Sequence, residues 1–129
     1  ALNHSEILSL DRINKEFYYN WFDLKSNTQQ RQVKNNFSFS LLPIDFNAYT
    51  IPGKYDLIYY DSFGPDESPE MWHINALTKV KNLLKPHGQM VTFCAKGSVK
   101  RTFKSIGFRI ENPPGPVGKR EITRCIKME

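Results

Sequence analysis

Glycine is missing from the first 52 residues; all seven glycines lie from Gly53 onward. A glycine-rich phosphate loop is therefore excluded there, and no G-x-G-x-x-G or P-loop pattern occurs later. Cysteine is almost missing as well. Cys94 and Cys125 sit far apart in strand-like runs, with neither metal-ligand spacing nor a disulfide framework, which suits a reducing cytosol. His4, His73 and His87 stand singly and make no zinc cluster. No apolar run approaches the roughly 20 residues that span a bilayer, and the polar opening ALNHSEILSLDRINK is not a secretory signal. Membrane, secreted-scaffold and metal-module readings all fare poorly.

What remains is a chain of 129 residues, 40% hydrophobic and 13% aromatic, enough to build one small domain over residues 1–129. Its charge is lopsided. Residues 1–95 hold nine basic and ten acidic side chains, whereas residues 96–129 hold nine basic and three acidic, a local net of +6. A localised positive field suits a polyanion such as nucleic acid, and equally an ordinary solvated face.

Periodicity predicts the elements. Leu10, Ile13, Phe17, Trp21 and Leu24 recur at helical steps over residues 10–24, with Ser9 or Asp11 as N-cap. Residues 25–36 read as a polar connector, either a loop or a frayed helix end. Phe37–Leu41 alternates as a strand and runs on to Asp45, with a turn of helix expected after it. Pro52 and Gly53 mark a turn. Residues 55–60 are apolar on both faces and read as a buried parallel strand ending at Asp61. A helix follows from Pro69, with Trp72, Ala76, Val80, Leu83 and Leu84 inward, and stops at Lys85-Pro86-His87-Gly88. Residues 89–95 form the next strand, 97–106 a basic helix with Val99, Phe103 and Ile106 inward, and 108–111 another strand. Residues 120–127 alternate around Ile122 and Ile126 as its hairpin partner. The expected fold is α/β, with a mostly parallel sheet and a C-terminal antiparallel hairpin.

Ligands of open α/β sheets bind beyond the carboxyl ends of the strands. Asp45 and Asp61 are both expected at that rim. Asp61 also heads a stiff loop, Asp61-Ser62-Phe63-Gly64-Pro65-Asp66, of the kind that carries functional groups on a scaffold. Phe63 suits stacking on a planar ligand, while Trp72 reads better as a plug of the core.

The ordered set Asp61-x-Phe63-x-Pro65, Pro69-Glu70-Met71-Trp72, Leu84-Lys85-Pro86-His87-Gly88, Thr92-x-x-Ala95-x-Gly97-x-Val99-Lys100-Arg101, Ile106-Gly107-Phe108 and Gly118-Lys119-Arg120-Glu121 resembles the MnmC/MnmD methyltransferases of the tRNA wobble uridine. The likeness covers Phe39 to Arg124; residues 1–36 carry no matching motif. It implies a Rossmann-like class I methyltransferase sheet whose N-terminal units, with their glycine loop and ribose-binding acid, would lie upstream of this chain. It implies methyl transfer from S-adenosylmethionine to the amine of 5-aminomethyl-2-thiouridine in a cytoplasmic tRNA, without a metal or a membrane. A flavin-dependent oxidoreductase domain, fused or separate, would accompany it. By the same resemblance, Asp61 is the catalytic residue at the substrate amine. Asp45, Phe46, Tyr60 and Ser62 would hold the cofactor, and Phe63, Pro65, Lys100, Arg101, Lys119 and Arg120 the RNA. His87 stands where the family's turn has its second glycine, and reads as a tolerated variant. The competing expectations are a different amine acceptor, or a non-catalytic RNA-binding module descended from a methyltransferase.

Overall fold

The computed structural model describes residues 29–34, 36–118 and 121–129, in two compact units that divide after Asp45. The helix predicted over 10–24 lies outside the described residues. In the first unit, β1 (Gln29–Lys34) pairs antiparallel with β2 (Phe37–Leu41). The polar segment read as a connector is thus a strand for half its length. Its sequence QQRQVK has no hydrophobic alternation to mark a strand, and in its partner β2 Phe37 and Leu41 face solvent. Asn36 lies in the intervening turn, and asparagine is a favoured turn residue. After Asp45 the chain makes a turn at 46–48 rather than a helix.

The second unit carries a four-stranded sheet in the order β3-β4-β6-β5. Here β3 is Tyr55–Tyr59, β4 Leu84–Thr92, β5 Phe108–Glu111 and β6 Thr123–Lys127. β3 and β4 are parallel, while β4–β6 and β5–β6 are antiparallel. The sheet is therefore mixed in its described part, with the expected C-terminal hairpin wedged against β4. Its helices are α1 (Pro69–Trp72), α2 (Ile74–Leu83) and α3 (Gly97–Ser105).

The single helix predicted from Pro69 breaks at His73, whose backbone is extended (φ −68°, ψ 152°). Pro69 keeps its predicted first-turn place, where its missing N–H costs nothing. Trp72, Ala76, Leu77 and Val80 then pack inward. Leu84 is buried too, but as the first residue of β4. Between Leu84 and Gln89 the register of β4 jumps against Tyr55 and Leu57, and His87 takes a left-handed conformation (φ 62°). A Cβ on Gly88 would meet the Lys85 carbonyl at 2.9 Å and the Tyr55 carbonyl at 3.0 Å, so that position admits only glycine. The bulge answers to the family's proline–glycine turn, and its left-handed residue here is histidine.

One core joins Phe103 and Val99 of α3, Leu77 and Val80 of α2, and Met90, Phe108 and Cys125 of the sheet. Two expectations fail at its margins. β3 is not buried on both faces: Tyr55, Leu57 and Tyr59 are exposed, and only Ile58 and the following Tyr60 turn toward the helices. β3 has one strand neighbour among the described residues, and its alternate side chains leave the helix-covered face. In β6 the innermost residues are Thr123 and Cys125 rather than Ile122, although Ile126 is buried as well.

Burial pushes the Cys125 thiol up from 9.0 to about 12. The Tyr60 phenol rises from 10.0 to about 12, chiefly by burial, with the nearby Ser62 opposing the rise and the Glu70 charge adding to it. The unfolded chain ionises both groups earlier than the folded one. Stability is therefore full below pH 9 and declines as pH rises toward 12. Urea titrations should show the midpoint falling over that window. A flat midpoint would mean that neither group is shielded in the folded chain.

Candidate active site

The second unit fixes the backbone on both sides of Asp61. Tyr60, 7% exposed, lies against Trp72 (ring centroids 5.3 Å, 82° between planes) and Phe46 (6.3 Å, 66°). Its N–H donates to the Val91 carbonyl at 2.8 Å, and its phenol donates to the Met71 carbonyl. Two residues past Asp61, the Phe63 carbonyl accepts from Trp72 Nε1 at 2.7 Å. The loop then closes on itself, with the Glu67 and Ser68 N–H groups on the Gly64 carbonyl. Lys96, just before α3, pairs with Asp66 at its far end. Asp61 thus sits exposed at the carboxyl end of β3, on a backbone held before and after it. That is the arrangement in which a carboxylate can be aimed without an ordering cost at each encounter.

Three neighbours give this end its chemistry. Ser62 Oγ is buried and makes no hydrogen bond of normal geometry, which costs stability unless a ligand supplies a partner. Phe63 projects outward with 77% of its surface exposed, which leaves its ring accessible for stacking on a base. Pro65 begins the turn at 65–67 and stiffens the loop. Trp72 is the core plug that its sequence position suggested, and also the loop's anchor.

The remaining expected site residues are dispersed. Asp45 follows β2 in the first unit, which is paired with β1 and not with β3. The two-carboxylate rim read from the sequence is therefore not a feature of one sheet; β2's alternation is satisfied by a hairpin instead. Phe46 opens the second unit, with Lys79 Nζ 4.8 Å from its ring centroid. Tyr60, expected at the cofactor, has its ring and hydroxyl both engaged in the core. Lys100 is half-buried and pairs with Glu121 at 2.6 Å, while Arg101 stands exposed on the same helix. Lys119 and Arg120 lie outside the described residues.

The positive tail is more compensated than its composition suggests. Besides Lys96 and Lys100, Arg109 and Arg124 both pair with Glu111. No group of three potential metal ligands occurs among the described residues, and no described helix is long and apolar enough to cross a membrane.

The acidic residue beyond β3 and the stiff aromatic loop that follows it make up the candidate site of this mixed sheet. The family model described as S-adenosyl-L-methionine-dependent methyltransferase matches residues 9–128, and the chain belongs to that family, whose cofactor is S-adenosylmethionine. It is 33% identical over 116 residues to the tRNA 5-methylaminomethyl-2-thiouridine biosynthesis bifunctional protein MnmC of Leptospira interrogans, covering 88% of this chain and 18% of that protein. It is 38% identical over 72 residues to MnmC of Leptospira borgpetersenii, covering 56% of this chain and 11% of the other. The chain therefore spans less than a fifth of the curated relatives that it matches. Among solved structures, the crystal structure of MnmC2 from Aquifex aeolicus superposes with a TM-score of 0.56 at 22% identity, over 64% of this chain and 26% of that one. That likeness bears out the fold.

Proposed function

We propose that this chain is part of a tRNA methyltransferase that converts 5-aminomethyl-2-thiouridine at the wobble position to its methylamino form. The carrying observation is Asp61, exposed on a backbone pinned by Tyr60 on one side and the Trp72–Phe63 hydrogen bond on the other. The MnmC name of the Leptospira relatives supports the substrate class.

When bound, S-adenosylmethionine supplies a methyl group already activated on a sulfonium. The residues present fit such a ligand at the end of β3, where the buried Ser62 hydroxyl, near Tyr60 but in no hydrogen bond of normal geometry, would gain one. Asp45 is proposed as acceptor for the adenine amino group and Phe46 as its apolar neighbour, both on the resemblance. No metal or covalent enzyme intermediate is needed for the transfer.

Asp61 does the work on the acceptor. A primary alkylamine is mostly protonated at neutral pH and has no lone pair to offer. The carboxylate attracts the ammonium, accepts a hydrogen bond from the amine once it is neutral, and turns the lone pair toward the methyl group. As the N–C bond forms the sulfur–methyl bond would break, with its electron pair returning to a neutral thioether, and the nitrogen sheds a proton toward Asp61 and solvent. Positioning supplies the larger share of the acceleration, and proton handling a smaller one. Phe63 flanks the extruded base, and Pro65 keeps the loop from collapsing over it. Arg101, Lys119 and Arg120 are proposed to hold phosphates. Lys100 would join them only by leaving Glu121.

The protein carrying this sequence, at full length, should transfer label from the methyl donor to tRNA isolated from cells lacking the modification. Transfer to a protein or small amine, with none to tRNA, would contradict the reading. Replacing Lys119 and Arg120 by glutamine should weaken tRNA binding and flatten its dependence on salt by roughly one to two released counterions. An unchanged slope would return both residues to a solvated face.

A further inference from the structure

Away from Asp61, two features converge on α2. The first is a group of lysines at its carboxyl end. Lys54, just before β3, donates to the Asn82 carbonyl. Lys81, in the helix's last turn, donates to the Ile106 carbonyl at 2.5 Å, and Lys127 of β6 donates to the Leu84 carbonyl at 2.8 Å. Each ammonium has met a neutral carbonyl, which satisfies one N–H and leaves the charge uncompensated. Five other cations of this unit behave differently: Lys85, Lys96, Lys100, Arg109 and Arg124 meet carboxylates. Lys54 and Lys127 cap the end of α2 and Lys81 caps the end of α3, and two helix ends with about half a charge each do not call for three cations. Their crowding has a cost. Lost hydration, then the Lys54 and Lys81 charges, hold the Lys127 ammonium below the usual lysine range.

The second feature is a cavity of about 470 Å³ that opens beside Lys54 along the outer side of α2. Lys54 and Lys79 line it together with Asn75, Asn82, Thr50 and Thr78. No carboxylate is among its described lining residues. Lys79 repeats the pattern of the cluster, donating to the carbonyls of Phe46 and Tyr49. Ammonium, carboxamide and hydroxyl groups without a competing acid are the donor set that grips phosphate and sugar oxygens.

We propose that the lysines gathered at the carboxyl end of α2, Lys54, Lys81 and Lys127, form with the groove that opens beside Lys54 a second contact for the RNA sugar–phosphate backbone, at the end of the sheet opposite Asp61. The inference rests on tRNA being the substrate. Lys54 and Asp61 flank β3, whose rise of about 3.3 Å per residue sets them roughly 23 Å apart. A folded RNA arm bridges that distance, and a trinucleotide does not. The groove would thus let the protein weigh a whole tRNA against a short strand carrying the same base.

The test compares tRNA binding across a salt series for the full-length protein and for two triple variants at Lys54, Lys81 and Lys127, one all glutamine and one all arginine. The glutamine variant should lose about two to three from the slope of log affinity against log salt, and bind roughly tenfold more weakly at low salt. The arginine variant should keep the wild-type slope, and a trinucleotide should not distinguish the three proteins. A glutamine variant with the wild-type slope would overturn the groove while leaving tRNA binding, and so the proposed function, intact. Equal losses in both variants would assign the lysines to helix capping and overturn it too. Should the wild type itself ignore tRNA but bind polyglutamate through these lysines, the groove belongs to an acidic protein partner, and the tRNA reading fails with it.

Discussion

Asp61→Ala should lower methyl transfer by about 10²–10⁴-fold, the range usual for a positioned proton-handling group, with tRNA affinity almost unchanged. The expectation follows from where the residue stands. Its carboxylate is exposed at the carboxyl end of β3, so removing it disturbs no core contact. The backbone around it is held by other groups, through Tyr60 to Met71 and Trp72 to Phe63. Fold and RNA grip should survive while the amine loses its charged partner. Asp61→Asn separates the two roles of that partner, because the amide can still accept a hydrogen bond but neither attracts the ammonium nor takes up its proton. Its rate should fall between the other two. Single-turnover kinetics with saturating tRNA decide the matter, and a near-normal rate for alanine would remove Asp61 from the mechanism.

Trp72→Ala should cost about 3–5 kcal/mol of stability, the usual penalty for emptying a buried tryptophan site. Trp72 is 7% exposed, stacks edge-on with Tyr60, and reaches out of the core to hold the loop through Phe63. Core and active loop are therefore one mechanical unit. Trp72→Phe separates packing from tethering: much of the ring remains, while the hydrogen bond, worth about 1 kcal/mol net, is lost. The phenylalanine variant should unfold at slightly lower urea yet lose several-fold in transfer, because the loop carrying Phe63 is no longer fixed. Loss of stability without loss of rate would confine Trp72 to the core.

The elements legible in the sequence were those whose burial is one-sided and whose ends are chemically marked. α3 is the clearest, with Val99 and Phe103 buried and Gly107 in a left-handed turn (φ 87°). β5 and β6 were legible because a proline–glycine turn separates two short apolar runs. β1 was not, since QQRQVK carries no apolar alternation. The break at His73 had no signal either, because the inward stripe continues across it from Trp72 to Ala76. Of the candidate site residues, Asp61 and Phe63 lie exposed in the stiff loop after β3, as their sequence context implied. The pairing of Lys100 with Glu121 was not, although both residues lay in motifs already noticed, because composition counts charges without saying which ones meet. The lysines around α2 escaped for the same reason. They are far apart in sequence, at 54, 81 and 127, and only the sheet order brings them together.

The most direct measurement is the identity of the nucleoside that receives the methyl group. The full-length protein would be given S-adenosylmethionine labelled in the methyl group and tRNA lacking the modification, and the digested nucleosides resolved by mass. Label in 5-methylaminomethyl-2-thiouridine, absent when Asp61 is alanine, is the predicted result. Label in any other nucleoside, or none from a folded protein that binds tRNA, would contradict the account.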